Sequence, residues 1–203
     1  MQQDLATRYP LVLVPGMLGF VRMVLYPYWF GIVPALRKGG AQVFPVQVSP
    51  LHSSEVRGEQ LLAIIDDICQ RTGVDKVNLI GHSQGALSAR YAAAKRPERV
   101  ASVTSVAGPN HGSELADHLE RTAPGHSPQG RVLKAVLHGF AVLLVWLETG
   151  WRRDPLPVDV HASHQSLTSA GVALFNQAYP QGLPQTWGGE GAYEVNGCLL
   201  YTS

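Results

Sequence analysis

Lys76-Val77-Asn78-Leu79-Ile80-Gly81-His82-Ser83-Gln84-Gly85-Ala86-Leu87-Ser88-Ala89-Arg90-Tyr91 is the stretch that decides the fold. Its first five residues have strand character, and the run from Ala86 onward is rich in good helix formers. Gly81-His82-Ser83-Gln84-Gly85 joins the two. A G-x-S-x-G between strand and helix is the sharp turn on which a parallel α/β enzyme exposes a nucleophilic serine. Gly81 and Gly85 have no Cβ, so strand and helix can close on a turn tight enough to hold Ser83 in strained backbone geometry. An incidental serine in a Gly-rich turn is the competing reading, and the strand and helix on either side count against it.

Working outward, Leu11-Val12-Leu13-Val14 is an apolar run closed by Pro15-Gly16, which predicts a buried strand and a sharp turn. Strands are also expected over Gln42 to Val48 and Val100 to Val106. Helices are expected over Tyr28 to Arg37, Glu55 to Thr72 before Gly73, and Gln84 to Lys95. Strand and helix alternate, so the expected fold is α/β, a mostly parallel doubly wound sheet with helices on both faces. The 203 residues suit one domain. A net charge of +1, with 15% charged residues scattered along the chain, leaves no footprint for nucleic acid. Cys69 and Cys198 lie far apart in no metal-like spacing, and the first eight residues lack the pattern of a secretory signal.

Residues 112–165 break the alternation and form a candidate cap. Arg131 to Leu147 carries Leu133, Val136, Leu137, Phe140, Leu143, Leu144 and Leu147 at helical spacing, and its second half is apolar all round. The unbroken run from Phe140 to Leu147 is short against the roughly 20 residues of a membrane span. Two readings stand: a wholly buried helix, or a movable flap with one face on the core and one toward lipid. Trp151 to Pro157 is its polar, Pro-punctuated exit.

A serine hydroxyl needs an imidazole to take its proton and a carboxylate to orient that imidazole, and the oxyanion formed needs preorganised donors. One donor is the backbone N–H after the nucleophile, that of Gln84. The second is assigned to the N–H of Met17, in the turn Pro15-Gly16-Met17-Leu18-Gly19-Phe20, where Gly16 allows close approach. The base should follow the serine, with the acid between them. His161 with Asp154 or Asp159 has that order but sits in the cap's exit, so no triad is expected from these residues. His82 is expected to pack or hydrogen-bond rather than catalyse. His111, after the fourth strand, either lines the pocket or holds its loop.

These residues together resemble the bacterial true lipases of the Pseudomonas, Burkholderia and Proteus group. The matching stretches include Tyr9 to Val14, Gly16 to Phe20, Tyr28-Trp29-Phe30-Gly31-Ile32, Ser54 to Leu62, Val77 to Gly85, Thr104-Ser105-Val106, His111-Gly112-Ser113 and Phe175 through Pro184. The resemblance implies an α/β-hydrolase fold, a serine acyl-enzyme acting on triacylglycerols or other water-insoluble esters, and a lid near Arg131 to Gly150. It implies Ser83 as nucleophile, Met17 and Gln84 as oxyanion donors, and Arg57 as a brace for the oxyanion turn. It also implies secretion, with a cytoplasmic location as the alternative, and a structural calcium; a monomer is expected, and the need for a foldase stays open. Acyl transfer, depolymerisation or non-catalytic lipid binding on the same fold are the alternatives.

Some residues depart from the family pattern. Pro15 stands where a histidine is usual, so the turn's hydrogen bonds must differ. Gly188 stands where many members have a cysteine. The family's catalytic Asp, catalytic His and calcium ligands lie beyond the stretch matching Tyr193 to Gly197. No cofactor or metal site is therefore expected within this chain. Residues 1–197 are expected to be an incomplete lipase domain and 198–203 a foreign tail, with a sheet edge and apolar surface left exposed.

Overall fold

The structure, a computed structural model, describes residues 5–23, 26–149, 156–183, 191–195 and 198–202. Leu11–Val14 (β1) is buried along its whole length, as a central parallel strand with helices on both faces must be. A small antiparallel pair, Arg22–Met23 (β2) and Tyr26–Pro27 (β3), precedes Ile32–Lys38 (α1) and Val43–Pro45 (β4). Then come Ser54–Thr72 (α2), Val77–His82 (β5), Gln84–Lys95 (α3) and Val100–Val106 (β6). Glu114–Thr122 (α4), Pro128–Thr149 (α5), Val160–Gln165 (α6) and Ser169–Ala178 (α7) follow. Gly191–Val195 (β7) and Cys198–Thr202 (β8) complete the sheet.

The sheet order is β4-β1-β5-β6-β8-β7, parallel except at the β7–β8 pair. Successive side chains of a strand face opposite sides, and the two cores follow that alternation. Leu11, Leu13, Val43 and Ile80 meet Val33 and Leu36 of α1 on one face. Val12, Val14, Val77 and Leu79 meet α2, α3 and α7 on the other. Helix α2 is held at both ends: Ser53 Oγ accepts the Val56 N–H, and Gly73 takes the left-handed conformation (φ 70°) that a side chain would resist. Between them Leu61, Leu62, Ile65, Ile68 and Cys69 turn one stripe to the sheet.

The structure corrects several expectations. Helix α1 begins at Ile32, not Tyr28, because Gly31 is at φ 75° and Pro34 can sit only in a first turn. Residues 198–202 form a strand pairing parallel with β6 (Ser102 with Leu199, Thr104 with Tyr201). With β8 on β6, the outer strands of the sheet are β4 and β7. Helix α5 is not wholly buried. Its span Pro128–Leu147, 20 residues, is long and apolar enough to cross a membrane by length and composition, with 22% of its most apolar window buried. The run Phe140 to Leu147 underestimated it because Val132, Leu133, Val136 and Leu137 extend the apolar surface across the breaks at Lys134 and His138. Gly188 and the 151–155 part of the exit, Asp154 included, lie outside the described residues.

Leu61 is fully buried between α2 and the sheet. Leu61→Ala is expected to lower the unfolding free energy by about 2–5 kcal/mol, read as a lower urea midpoint with an unchanged m-value.

Candidate active site

β1 and β5 are neighbours in register, Leu13 opposite Ile80 and Val14 opposite Gly81, so the turns that follow them meet at one rim of the sheet. Ser83 occupies the turn after β5 at φ 53°, ψ −129°, a conformation that L residues avoid. Its N–H donates to Val106 O (2.9 Å), tying the turn to the end of β6. The flanking glycines are forced. A Cβ on Gly81 would lie 2.5 Å from Gly85 O, and one on Gly85 would lie 2.4 Å from Val14 O. A Cβ on Gly16 would fall 2.8 Å from Ser83 Cβ and 3.2 Å from its Oγ. The turn after β1 therefore rests directly on the serine.

Donor accounting in that turn is informative, because a backbone N–H in a closed turn needs a partner. Gly16 N–H donates to Tyr28 Oη (3.1 Å), Leu18 N–H to Pro50 O (2.7 Å) and Gly19 N–H to Gly16 O (3.1 Å). Pro15 has no N–H to give. The Met17 N–H is left without an acceptor among the described residues, as is that of Gln84 at the start of α3. The latter is also the positive end of the helix dipole.

Arg57 is fully buried beneath this turn. Its Nη2 donates to Pro15 O (2.5 Å) and Gly16 O (3.0 Å), and its Nη1 to Gln84 Oε1 (3.1 Å) and more weakly to Pro50 O (3.5 Å). None of these acceptors is a carboxylate. Burial lowers its pKa to about 10, with an opposing contribution from Tyr28, so the guanidinium stays protonated at neutral pH. The Gln84 side chain, itself fully buried, carries the network onward, donating to His52 O (2.8 Å) and Ser166 Oγ (3.0 Å).

The structure brings Ser83, Gly16, Met17, Gln84, Arg57 and His82 together. His82 Nδ1 lies 2.6 Å from Tyr28 Oη, next to Ser83 in sequence but turned to the aromatic cluster of Tyr28 and Trp29. His111 is exposed on the loop after β6; its neighbour Asn110 is the buried one, held by Ser105, Arg90 and Asn176. Among the described residues no histidine or carboxylate hydrogen-bonds to Ser83. His164 faces Ala116 O and Glu120, His161 Nδ1 faces Lys134, and Asp159 caps α6 through the Ala162 N–H. Sequence reasoning missed Tyr28, the Gln84 side chain and Asn110. Tyr28 lies within a stretch already matched to the family, but its use depends on a contact 54 positions away.

A family model described as the alpha/beta hydrolase fold matches residues 9–144. A triacylglycerol lipase of Pseudomonas fragi is 47% identical over 203 residues, all of this chain and 68% of that protein. The chain belongs to the triacylglycerol lipases of the α/β-hydrolase fold. Another such lipase, from Vibrio cholerae, is 45% identical over 97% of this chain and 62% of its own length. A Bacillus licheniformis lipase in its mature form, 21% identical, has a TM-score of 0.56 over 85% of this chain and 60% of that one, a likeness of fold. The chain thus spans 62–68% of the length of the two sequence relatives.

Among the described residues no three His, Cys, Asp or Glu side chains group as a metal site. A small apolar cavity of about 70 Å³ opens beside Met17, lined by Leu51, Leu119, Leu133, Leu137 and Val160, with Glu120, Lys134 and His164 as its polar members.

Arg57→Met should destabilise the fold by about 1–3 kcal/mol, the cost of carbonyls left buried without donors. Arg57→Lys should not restore it, because a single ammonium cannot span the Pro15 and Gln84 acceptors as the fork does. Urea denaturation of the two variants checks both statements.

Proposed function

We propose that the whole protein to which this chain belongs hydrolyses carboxylic esters of long-chain or other water-insoluble acids through an acyl-enzyme on Ser83. Ser83 Oγ attacks the ester carbonyl, its proton passing to a base, and the alkoxide leaves with a proton as the alcohol. Water then attacks the acyl carbon, restoring Oγ–H and releasing the acid. The Met17 and Gln84 N–H groups would meet the oxyanion in both steps. The unspent Met17 amide, in a turn where the N–H groups of Gly16, Leu18 and Gly19 are committed, carries this reading. The base and its orienting acid are assigned to chain outside residues 1–203, since the histidines described after Ser83 are exposed or committed elsewhere.

Substrate class follows from α5. Val132, Val136, Phe140, Leu143 and Leu147, spaced by three or four, form an exposed apolar stripe along its outer side. Leu133 and Leu137 line the cavity, while Ala141, Leu144 and Val145 are buried. A helix apolar on both sides suits a lid that covers the cavity in water and turns to lipid at an interface. An acyl chain would occupy the cavity when the lid moves.

In the chain extended to the length of its relatives, a fluorophosphonate should label Ser83 and fail on Ser83→Ala. Hydrolysis of nitrophenyl butyrate by residues 1–203 should be feeble, and should rise by about 10⁴-fold or more when the chain is extended to the length of its relatives. Full turnover by residues 1–203 alone would sink the assignment of the base. For the lid, Val136→Asp with Phe140→Asp should abolish adsorption to a triolein emulsion while leaving labelling in detergent-free buffer intact.

A further inference from the structure

Tyr28 lies at the join between the oxyanion turn and the serine elbow. Its hydroxyl accepts the Gly16 N–H at 3.1 Å and meets His82 Nδ1 at 2.6 Å, with His82 immediately preceding Ser83. Phe20 and Trp29 pack edge-on against its ring at 5.6 and 5.3 Å, so the hydroxyl has little freedom to wander. With the Gly16 N–H donating to Oη, the hydroxyl proton is free to go to His82 Nδ1. That bond requires His82 to be the neutral tautomer with its proton on Nε2. The opposite tautomer would give Oη two incoming donors and leave its own proton unpaired in a part-buried site.

We propose that Tyr28 and His82 are positioning residues for the oxyanion turn, linked as Gly16 N–H to Tyr28 O–H to His82 Nδ1. The link turns the Gly16 amide away from the serine and fixes the next peptide, so that the Met17 N–H faces the substrate. It complements Arg57, which holds the carbonyls of Pro15 and Gly16 while Tyr28 holds the amide between them. Pro15, which cannot donate, leaves Gly16 as the first N–H of the turn and makes its acceptor decisive. The functional consequence rests on the serine chemistry proposed above; the tautomer and the Gly16 bond do not.

The test has two readouts, NMR on residues 1–203 and labelling on the chain extended to the length of its relatives, which supplies the base that activates Ser83. Nitrogen-15 NMR should show His82 as the Nε2–H tautomer with Nδ1 accepting, and Tyr28→Phe should shift the Gly16 amide and the Nδ1 resonance. The same substitution should slow fluorophosphonate labelling of Ser83 by about tenfold, the size of one or two lost hydrogen bonds. Tyr26→Phe, on an exposed ring stacked on Phe30, should leave labelling unchanged. Rescue is positional. His82→Asn places an acceptor where Nδ1 stood and should keep most of the rate, whereas His82→Gln places it at the Nε2 position and should behave like Tyr28→Phe. Circular dichroism and urea midpoints separate these effects from unfolding. An Nδ1–H tautomer, wild-type labelling in Tyr28→Phe, or equal rates for the Asn and Gln variants would each overturn the proposal. If wild-type Ser83 does not label at all but the tautomer and the Gly16 shift are as stated, the link stands and the nucleophile assignment fails.

Discussion

Two backbones at the carboxyl ends of β1 and β5 approach too closely for side chains between them, and the rest of the site follows from that contact. Gly85 cannot carry a Cβ without striking Val14 O and Pro15 O, nor Gly16 without striking Ser83. Backbone packed on backbone hides carbonyls and amides from water, and each hidden group needs a partner or costs about 1–3 kcal/mol. Arg57 reaches the carbonyls and Tyr28 the amide. A buried cation without a carboxylate is costly in an apolar core. Here three of its four acceptors are backbone oxygens, and the fourth is the Gln84 side chain. Substitution at any of these positions should therefore be felt at the serine.

Backbone strain gathers at the same rim. Leu18 (φ 55°), Ser83 (φ 53°) and Ala107 (φ 48°) are the non-glycine residues described with positive φ. They follow β1, β5 and β6, three adjacent strands. Such conformations cost of order 1–3 kcal/mol each and persist only where surroundings enforce them. Leu18 is enforced by its bond to Pro50 O, and Ser83 by its bond to Val106 O. Beyond Ala107, Gly108 packs against Ser105 and Ala86, and Asn110 bonds to Ser105 Oγ and Arg90. Arg90 in turn binds Tyr179 O, Gln181 O and Asn176, so α7 and the segment after it buttress the loop from behind. The sheet supplies the positions, and side chains from α2, α3 and α7 keep the strained turns from relaxing.

Local signals made much of this legible in the sequence. The strand before Ser83, the helix after it, and the apolar run of β1 closing at Pro15-Gly16 are dictated by composition over a few residues, and they appear where periodicity places them. Gly31 and Pro34 carried the true start of α1, but the aromatic run Tyr28-Trp29-Phe30 reads as helix until the side chains of Tyr28 and Trp29 are seen turned toward His82. Tyr28, the Gln84 side chain and Asn110 act through partners 54, 32 and 66 positions distant, and no local pattern announces such contacts. Helix α5 was legible as a helix. Its exposure was not, because a run apolar on all sides specifies burial and lipid contact equally.

That ambiguity is itself physical. The outer stripe exposes five large apolar side chains, and the inner side buries Ala141, Leu144 and Val145 while Leu133 and Leu137 face the cavity. Fully burying one aliphatic side chain is worth about 1.5–3 kcal/mol. The two sides are therefore of comparable worth, and the balance between them is a difference of a few kcal/mol between larger numbers. On the proposed lid reading, in water the inner contacts stand against nothing and hold the helix on the core. Beside hydrocarbon, burial of the outer stripe offsets their loss, and a differential affinity of only about 5.5 kcal/mol would carry a closed population to an open one. On the proposed reading, apolarity on both sides is what lets α5 serve two environments, which a conventional amphipathic helix with one polar face could not do.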